Sequence, residues 1–167
     1  MDDASEAEQG AGTPAGVSIH SAEPEDFGVV AGLRWQWVVE NDGVPVVTRD
    51  EFVAVFVEWA ARFEQTHHCT VARRGQTVIG MAWLAVLPRV PSPRAPVRAS
   101  GDVQCVYVVP AERGSGAGGR MLAALLAHAF EAGLERVTVH SSPGAVSVYE
   151  RAGFSASSQL LQATLPA

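Results

Sequence analysis

Apolar positions recur every three to four residues in some stretches of the chain and every second residue in others, and this change of period predicts the elements. "VSIH" at 17–20 reads as a short strand. In "SAEPEDFGVVAGLRWQWVVEN", Val30, Leu33 and Trp37 share a helical face, Pro24 suits a first helical position, and Glu25 and Asp26 fall in the first turn. "TRDE" at 48–51 has the form of a capping box, and Phe52, Val55, Phe56, Trp59 and Phe63 follow as one apolar stripe, so a second helix starts there. From His68 the period falls to two. "CTVARRGQTVIGMAWLAVL" reads as two strands joined at "RRGQ". "PRVPSPRAPVRASG" carries four prolines without an apolar period, and is expected to be a long connection that could bind ligand or act as a lid. "DVQCVYVV" is a further strand. After a glycine-rich loop, Met121, Leu122, Leu125, Leu126 and Ala129 mark a third helix closed by Gly133. "RVTVH" is a strand, "SSPGAVSVYERAG" a short helix with Ser142 as cap and Pro143 at its first position, and "FSASSQLLQATL" a last strand. The expected order is β-α-α-β-β-β-α-β-α-β, an α/β (α+β) domain over 17–167 preceded by an aperiodic, disordered tail over 1–16.

Composition narrows this picture. The chain has 167 residues, 47% of them hydrophobic, with four Trp and six Phe, enough for one packed core. No apolar run approaches the roughly 18 residues of a membrane span, and the acidic "MDDASEAEQG" is unlike a secretory leader, so a cytoplasmic protein without membrane partners is expected. A net charge of −6 argues against a nucleic-acid partner. The two cysteines, Cys69 and Cys105, form no metal-ligand spacing, and the adjacent residues of "HHC" at 67–69 cannot all point one way from a strand, so no metal is expected.

The chemistry concentrates in "ERGSGAGGR" at 112–120. Gly114, Gly116 and Gly119 satisfy G-x-G-x-x-G, the dinucleotide fingerprint. The surroundings exclude NAD: the next strand ends in His140 rather than an acidic residue, and the roughly 48 residues that follow cannot complete a doubly wound sheet. No lysine follows in the manner of a Walker loop. What remains is a run of unshielded backbone N–H groups at a helix N-terminus, which suits a pyrophosphate. The alternative is a glycine run that merely permits a tight turn.

"VYVVPAERGSGAGGRML" resembles the acyl-coenzyme-A signature of the GNAT superfamily of N-acetyltransferases, with Arg113, Gly114, Ser115, Gly116, Ala117 and Gly118 matching [R/Q]-x-x-G-x-[G/A]. "SSPGAVSVYERAGF" resembles the family's later motif through Ala145, Tyr149, Glu150, Gly153 and Phe154. The resemblance spans residues 17–165 and implies a mixed, mostly antiparallel central sheet flanked by helices. It also implies acetyl-CoA as co-substrate, its pyrophosphate on residues 113–119 (Gly119 included) and its pantetheine arm paired with the backbone of Val106, Tyr107 and Val108 as an added strand. Ser142 stands where the family often has an asparagine. Tyr149 matches the family's general acid, which serves the departing thiolate; the alternative is a tyrosine packed in the core with a satisfied hydroxyl.

The implied function is N-acetyl transfer from acetyl-CoA to a primary amine by direct attack in a ternary complex, with a small-molecule acceptor preferred over a protein N-terminus or lysine. A non-catalytic acyl-CoA-binding module is the alternative. A lysine-like amine costs about 4.6 kcal/mol to deprotonate at pH 7, yet the glutamate that family members often carry on the fourth or fifth strand is missing. Asp102 and His140 are candidates and no base is assigned. Arg34, Trp35, Trp37, Glu40 and the proline-rich connection are the acceptor-side candidates, with Trp37 and Trp83 read as core and Trp35 with Glu40 as either a cleft wall or a solvated helix end. A homodimer through an edge strand is compatible with the resemblance.

Overall fold

A computed structural model describes residues 16–41 and 43–163, so the tail expected over 1–16 lies outside the described residues except for Gly16. Five strands form one sheet in the order β1-β2-β3-β4-β5: β1 (Val17–Ser21), β2 (His67–Arg74), β3 (Thr77–Pro88), β4 (Ala99–Val108) and β5 (Val137–Val139). The first four pair antiparallel, and β5 pairs parallel to β4. Helices α1 (Phe27–Asn41) and α2 (Arg49–Arg62) cover one face, α3 (Ala117–Glu131) covers the other, and α4 (Val146–Arg151) packs on α3.

β3 is central and buried on both faces, which is why "VIGMAWLA" is almost wholly apolar. Alternation sends Met81 and Trp83 to the α1/α2 core with Val30, Leu33 and Val71. Ala82 and Leu84 go to the α3 core with Met121, Leu122 and Leu125. The second helix begins as its capping box dictates, with Glu51 N–H donating to Thr48 Oγ1 at 3.3 Å and Thr48 N–H donating to Glu51 Oε2 at 2.9 Å. The turn before α1 is a 3-10 turn, Pro24–Asp26, whose Asp26 is buried and ion-paired with Arg73 of β2.

Four expectations change. Val55 is 66% exposed, because it lies about 70° off the line through Phe52, Phe56, Trp59 and Phe63 at 100° per residue. The proline-rich connection is no free lid: the β3–β4 ladder runs to Pro88↔Ala99, Arg89 N–H donates to Arg98 O at 2.9 Å, and Arg98 is held by Glu135 and by Val90 O. The expected last strand does not form among the described residues, since 154–163 carry no strand and Leu160 and Leu161 are exposed; 164 and 165 lie outside the described residues. Its Ser/Ala/Gln-rich sequence has few β-branched or aromatic residues, and the three-residue β5 offers little ladder to join. Ser142 sits at the start of a 3-10 turn, Pro143–Ala145, but its hydroxyl makes no cap bond.

The histidines of β2 diverge as a strand requires. His67 packs edge-on against Trp59, while His68 lies against His128 of α3 with ring centres 4.4 Å apart and planes tilted by 58°. Burial lowers the pKa of both, and the neighbouring histidines lower that of His68 further. The folded state therefore favours neutral rings, while unfolded histidine takes up a proton near pH 6.5. Stability is expected to fall as pH drops from about 6.5 toward 5, above the range in which carboxylates titrate. A melting-temperature profile over pH 5–8 checks this, and His68→Asn should flatten it. An unchanged slope in that variant would remove His68 from the effect.

Candidate active site

β5 pairs with β4 only at Gly101, Asp102 and Val103. Immediately beyond, the β3–β4 register shifts so that Gln104 is an extra residue on β4, a bulge that bends the strand. Among the described residues the main chain of Gln104–Val108 has no strand on its β5 side, because β5 ends opposite Val103, and a gap follows beside β4. Val106, Tyr107 and Val108 lie along this open edge.

The gap leads into the glycine loop. A 3-10 turn, Pro110–Glu112, follows β4, and Glu112 accepts from Arg74 Nε and Nη2 at 2.8 and 2.7 Å, which ties the loop to β2. Gly114 and Gly116 adopt φ of +82° and +80°, a region costly for any side-chain-bearing residue, and Gly116 is the N-cap of α3. The other two glycines, Gly118 and Gly119, lie inside α3, where helical backbone does not require glycine. A Cβ at 114, 116 or 119 would meet no protein atom, and one at 118 only Val108 Cγ2 at 3.8 Å. Among the described residues no acceptor serves the N–H groups of Gly114, Gly116, Gly118 and Gly119, whereas Ala117 N–H reaches Ser115 Oγ at 3.4 Å. The pocket over this loop measures about 660 Å³ and is closed on its far side by Val148, Arg151 and Ala152. Unclaimed N–H groups at a positive helix end, with room where side chains would intrude, fit a pyrophosphate. Arg151 was not anticipated; it comes from α4 and only the fold brings it to the loop.

Arg113 lines this pocket, yet its side chain is committed elsewhere. Its Nη2 donates to Glu40 Oε2 at 2.6 Å and its Nε to Val108 O at 3.1 Å. Glu40 also accepts from the Tyr107 hydroxyl at 2.6 Å. Both bonds hold the Glu40 carboxyl below its usual range, Tyr107 contributing more. Burial and the adjacent carboxylate push the Tyr107 phenol up to about 12. Tyr107 thus gives its side chain to the α1/α2 core and only its backbone to the open edge. The trio joins α1, β4 and the loop. Arg120 donates to Val17 O at 2.7 Å, away from the loop.

Tyr149, on α4, is half-buried with its ring edge-on to Phe154 at 5.6 Å. It packs against the α3 core, and its hydroxyl has no hydrogen-bond partner among the described residues. Burial raises its pKa, with a smaller contribution from the Cys105 thiol of β4. Asp102 accepts from Thr138 Oγ1 at 3.1 Å inside the β4–β5 pair, and His140 is exposed after β5. Ser142 is exposed ahead of α4. Trp35 packs on Phe52 at 5.8 Å while Glu40 turns to Tyr107, so the two do not form a common cleft wall. Among the described residues no helix is long and apolar enough to cross a membrane, and no cluster of three metal-ligating side chains gathers.

The site is thus a mixed sheet whose β4 edge lies open beyond a strand bulge and runs into a glycine loop with unclaimed N–H groups. The acetyltransferase (GNAT) family profile matches residues 30–154, and the chain belongs to that family. It is 34% identical over 87 residues to a mycothiol acetyltransferase of Thermobispora bispora, a match covering 50% of this chain and 28% of that protein; it spans little more than a quarter of this relative's length. The fold superposes on a predicted acetyltransferase of Clostridium acetobutylicum solved with acetyl-CoA (TM-score 0.71, 19% identity, 89% of this chain and 96% of that one). It also superposes on glucosamine-6-phosphate N-acetyltransferase from Arabidopsis thaliana (TM-score 0.68, 19% identity, 90% and 99% covered).

Proposed function

We propose that the protein transfers the acetyl group of acetyl-CoA to the primary amine of a small molecule, the amine attacking while both substrates are bound. One observation supports this most directly: the unpaired edge of β4 runs into a loop where the N–H groups of Gly114, Gly116, Gly118 and Gly119 have no acceptor among the described residues, and Tyr149 packs on the same α3 core as Val106 and Val108. The single acetyltransferase domain over 17–167 belongs to the same proposal.

Acetyl-CoA supplies an acyl group activated as a thioester. The backbone of Val106, Tyr107 and Val108 would align its pantetheine arm, and residues 113–119 its pyrophosphate, with Arg113 shaping the loop through Glu40 and Val108 rather than by pointing at phosphate. Ser142, its hydroxyl unused by the helix, is a further contact. Tyr149 donates a hydrogen bond to the sulfur as it leaves; with a pKa above the usual 10 it stays protonated across the working range. Asp102, two positions before the bulge residue, is held by Thr138, and His140 is exposed after β5. With no side chain assigned as base, the acceptor's proton passes to water on this reading, and kcat/KM is expected to rise about tenfold per pH unit below the acceptor's own pKa.

A panel of small primary amines, peptides with free N-termini and lysine-containing peptides, followed by thiol release from acetyl-CoA, tests the reading. Small amines should raise release above background hydrolysis with that pH slope. Release that no amine raises, despite saturable acetyl-CoA binding, would make the protein an acyl-CoA-binding module instead.

A further inference from the structure

On the α1/α2 face of β4, beside the bulge, lies a second and smaller pocket of about 140 Å³. Its walls are Phe56 and Trp59 of α2 and Trp83 of β3. Trp83 meets Phe56 edge-on at 5.7 Å and Trp59 at 5.5 Å, so the aromatic walls brace one another. Arg34 of α1 and Gln104 and Cys105 of β4 complete it.

Two of these groups are underserved. Trp83 is 4% exposed, and its Nε1–H has no hydrogen-bond partner, an unfavourable state for a buried donor. The Arg34 guanidinium lies over the Trp37 ring at 4.3 Å, and its one hydrogen bond among the described residues goes to Cys105 Sγ at 3.7 Å, a weak acceptor. A guanidinium carries five donors in a planar fork suited to a carboxylate. Here no carboxylate of the described residues answers it. The pocket is too small for a whole ligand of drug size and large enough for a carboxylate with its neighbouring carbons.

We infer that this pocket is the acceptor's anchoring site and that the acceptor is an amine bearing a carboxylate, such as an amino acid. Arg34 pairs with the carboxylate, Trp83 Nε1–H donates to one of its oxygens, and Phe56 and Trp59 cover the adjoining apolar carbons. The inference rests on the proposed acetyl transfer, because it assigns the second substrate of that same reaction. Trp83 is a specificity residue on this reading rather than core filling alone.

The test uses the full chain saturated with CoA, titrated calorimetrically with N-acetylphenylalanine and with N-acetylphenethylamine, which share the ring and amide and differ in the carboxylate. The expected result is at least tenfold tighter binding of the carboxylate, a preference reduced to within about twofold in Arg34→Met and weakened in Trp83→Phe. Arg34→Met should leave CoA affinity unchanged, which shows that the variant is folded. Equal affinities for the two compounds in the wild type, binding of neither, or a preference that survives in Arg34→Met would overturn the inference. Failure of the parent reading looks different, because no amine would then raise thiol release from acetyl-CoA, whichever of the two compounds binds.

Discussion

Gly116→Val is expected to reduce acetyl-CoA affinity by at least about 100-fold, equivalent to roughly 2.7 kcal/mol. The residue has φ +80° at the N-cap of α3, so a β-branched side chain is both strained there and directed into the space over the loop. Strain alone lowers fold stability by about 1–2 kcal/mol. Gly119→Ala separates the two effects. At that position the backbone is helical and a Cβ meets nothing in the protein, so alanine should stabilise the fold by up to about 1 kcal/mol. The same methyl enters the ligand's space, and acetyl-CoA should bind more weakly. A variant that melts higher yet binds less well is what a ligand-shaped glycine predicts. If the glycines serve only the turn, Gly119→Ala should leave CoA affinity untouched.

Tyr149→Phe is expected to lower kcat by roughly 10²-fold or more, the range for loss of a positioned proton or hydrogen-bond donor to a leaving group. Acetyl-CoA affinity should stay nearly constant. The ring contact with Phe154 does not involve the hydroxyl, and that hydroxyl has no protein partner whose loss would disturb the fold. Because the phenol's pKa is raised, the wild-type rate should show no decline below pH 10 attributable to Tyr149. Stopped-flow or steady-state thiol release with a saturating acceptor measures both points. Equal turnover in the variant would remove Tyr149 from the chemistry.

Features that depend on neighbouring residues in the chain were legible before the fold was known. Thr48 and Glu51 announce the start of α2, the stripe from Met121 to Ala129 announces α3, and "RRGQ" announces the β2–β3 turn. The glycine loop was legible for the same reason, since backbone freedom and a helix N-terminus are local properties. Long-range placement left no comparable signal. Nothing in "DVQCVYVV" marks Gln104 as the bulge where β4 parts from β5, yet the gap begins at that residue. Arg113 and Glu40 are 73 positions apart, and only the packing of α1 against β4 brings their side chains together. A tryptophan in the middle of a strand reads as core, and the burial of Trp83 agrees with that; the unpartnered Nε1 becomes visible only once its neighbours are placed. The last strand failed as an expectation because its partner edge, β5, proved only three residues long.

The central claim is that the loop from Arg113 to Gly119 holds the pyrophosphate of coenzyme A. Isothermal titration of the purified protein with acetyl-CoA, free CoA and NAD tests it most directly. One saturable site for both coenzyme A forms, in roughly the micromolar range, with no heat from NAD at millimolar concentration, is the predicted result. Absence of binding by either coenzyme A form, or binding of NAD as tightly, would contradict it.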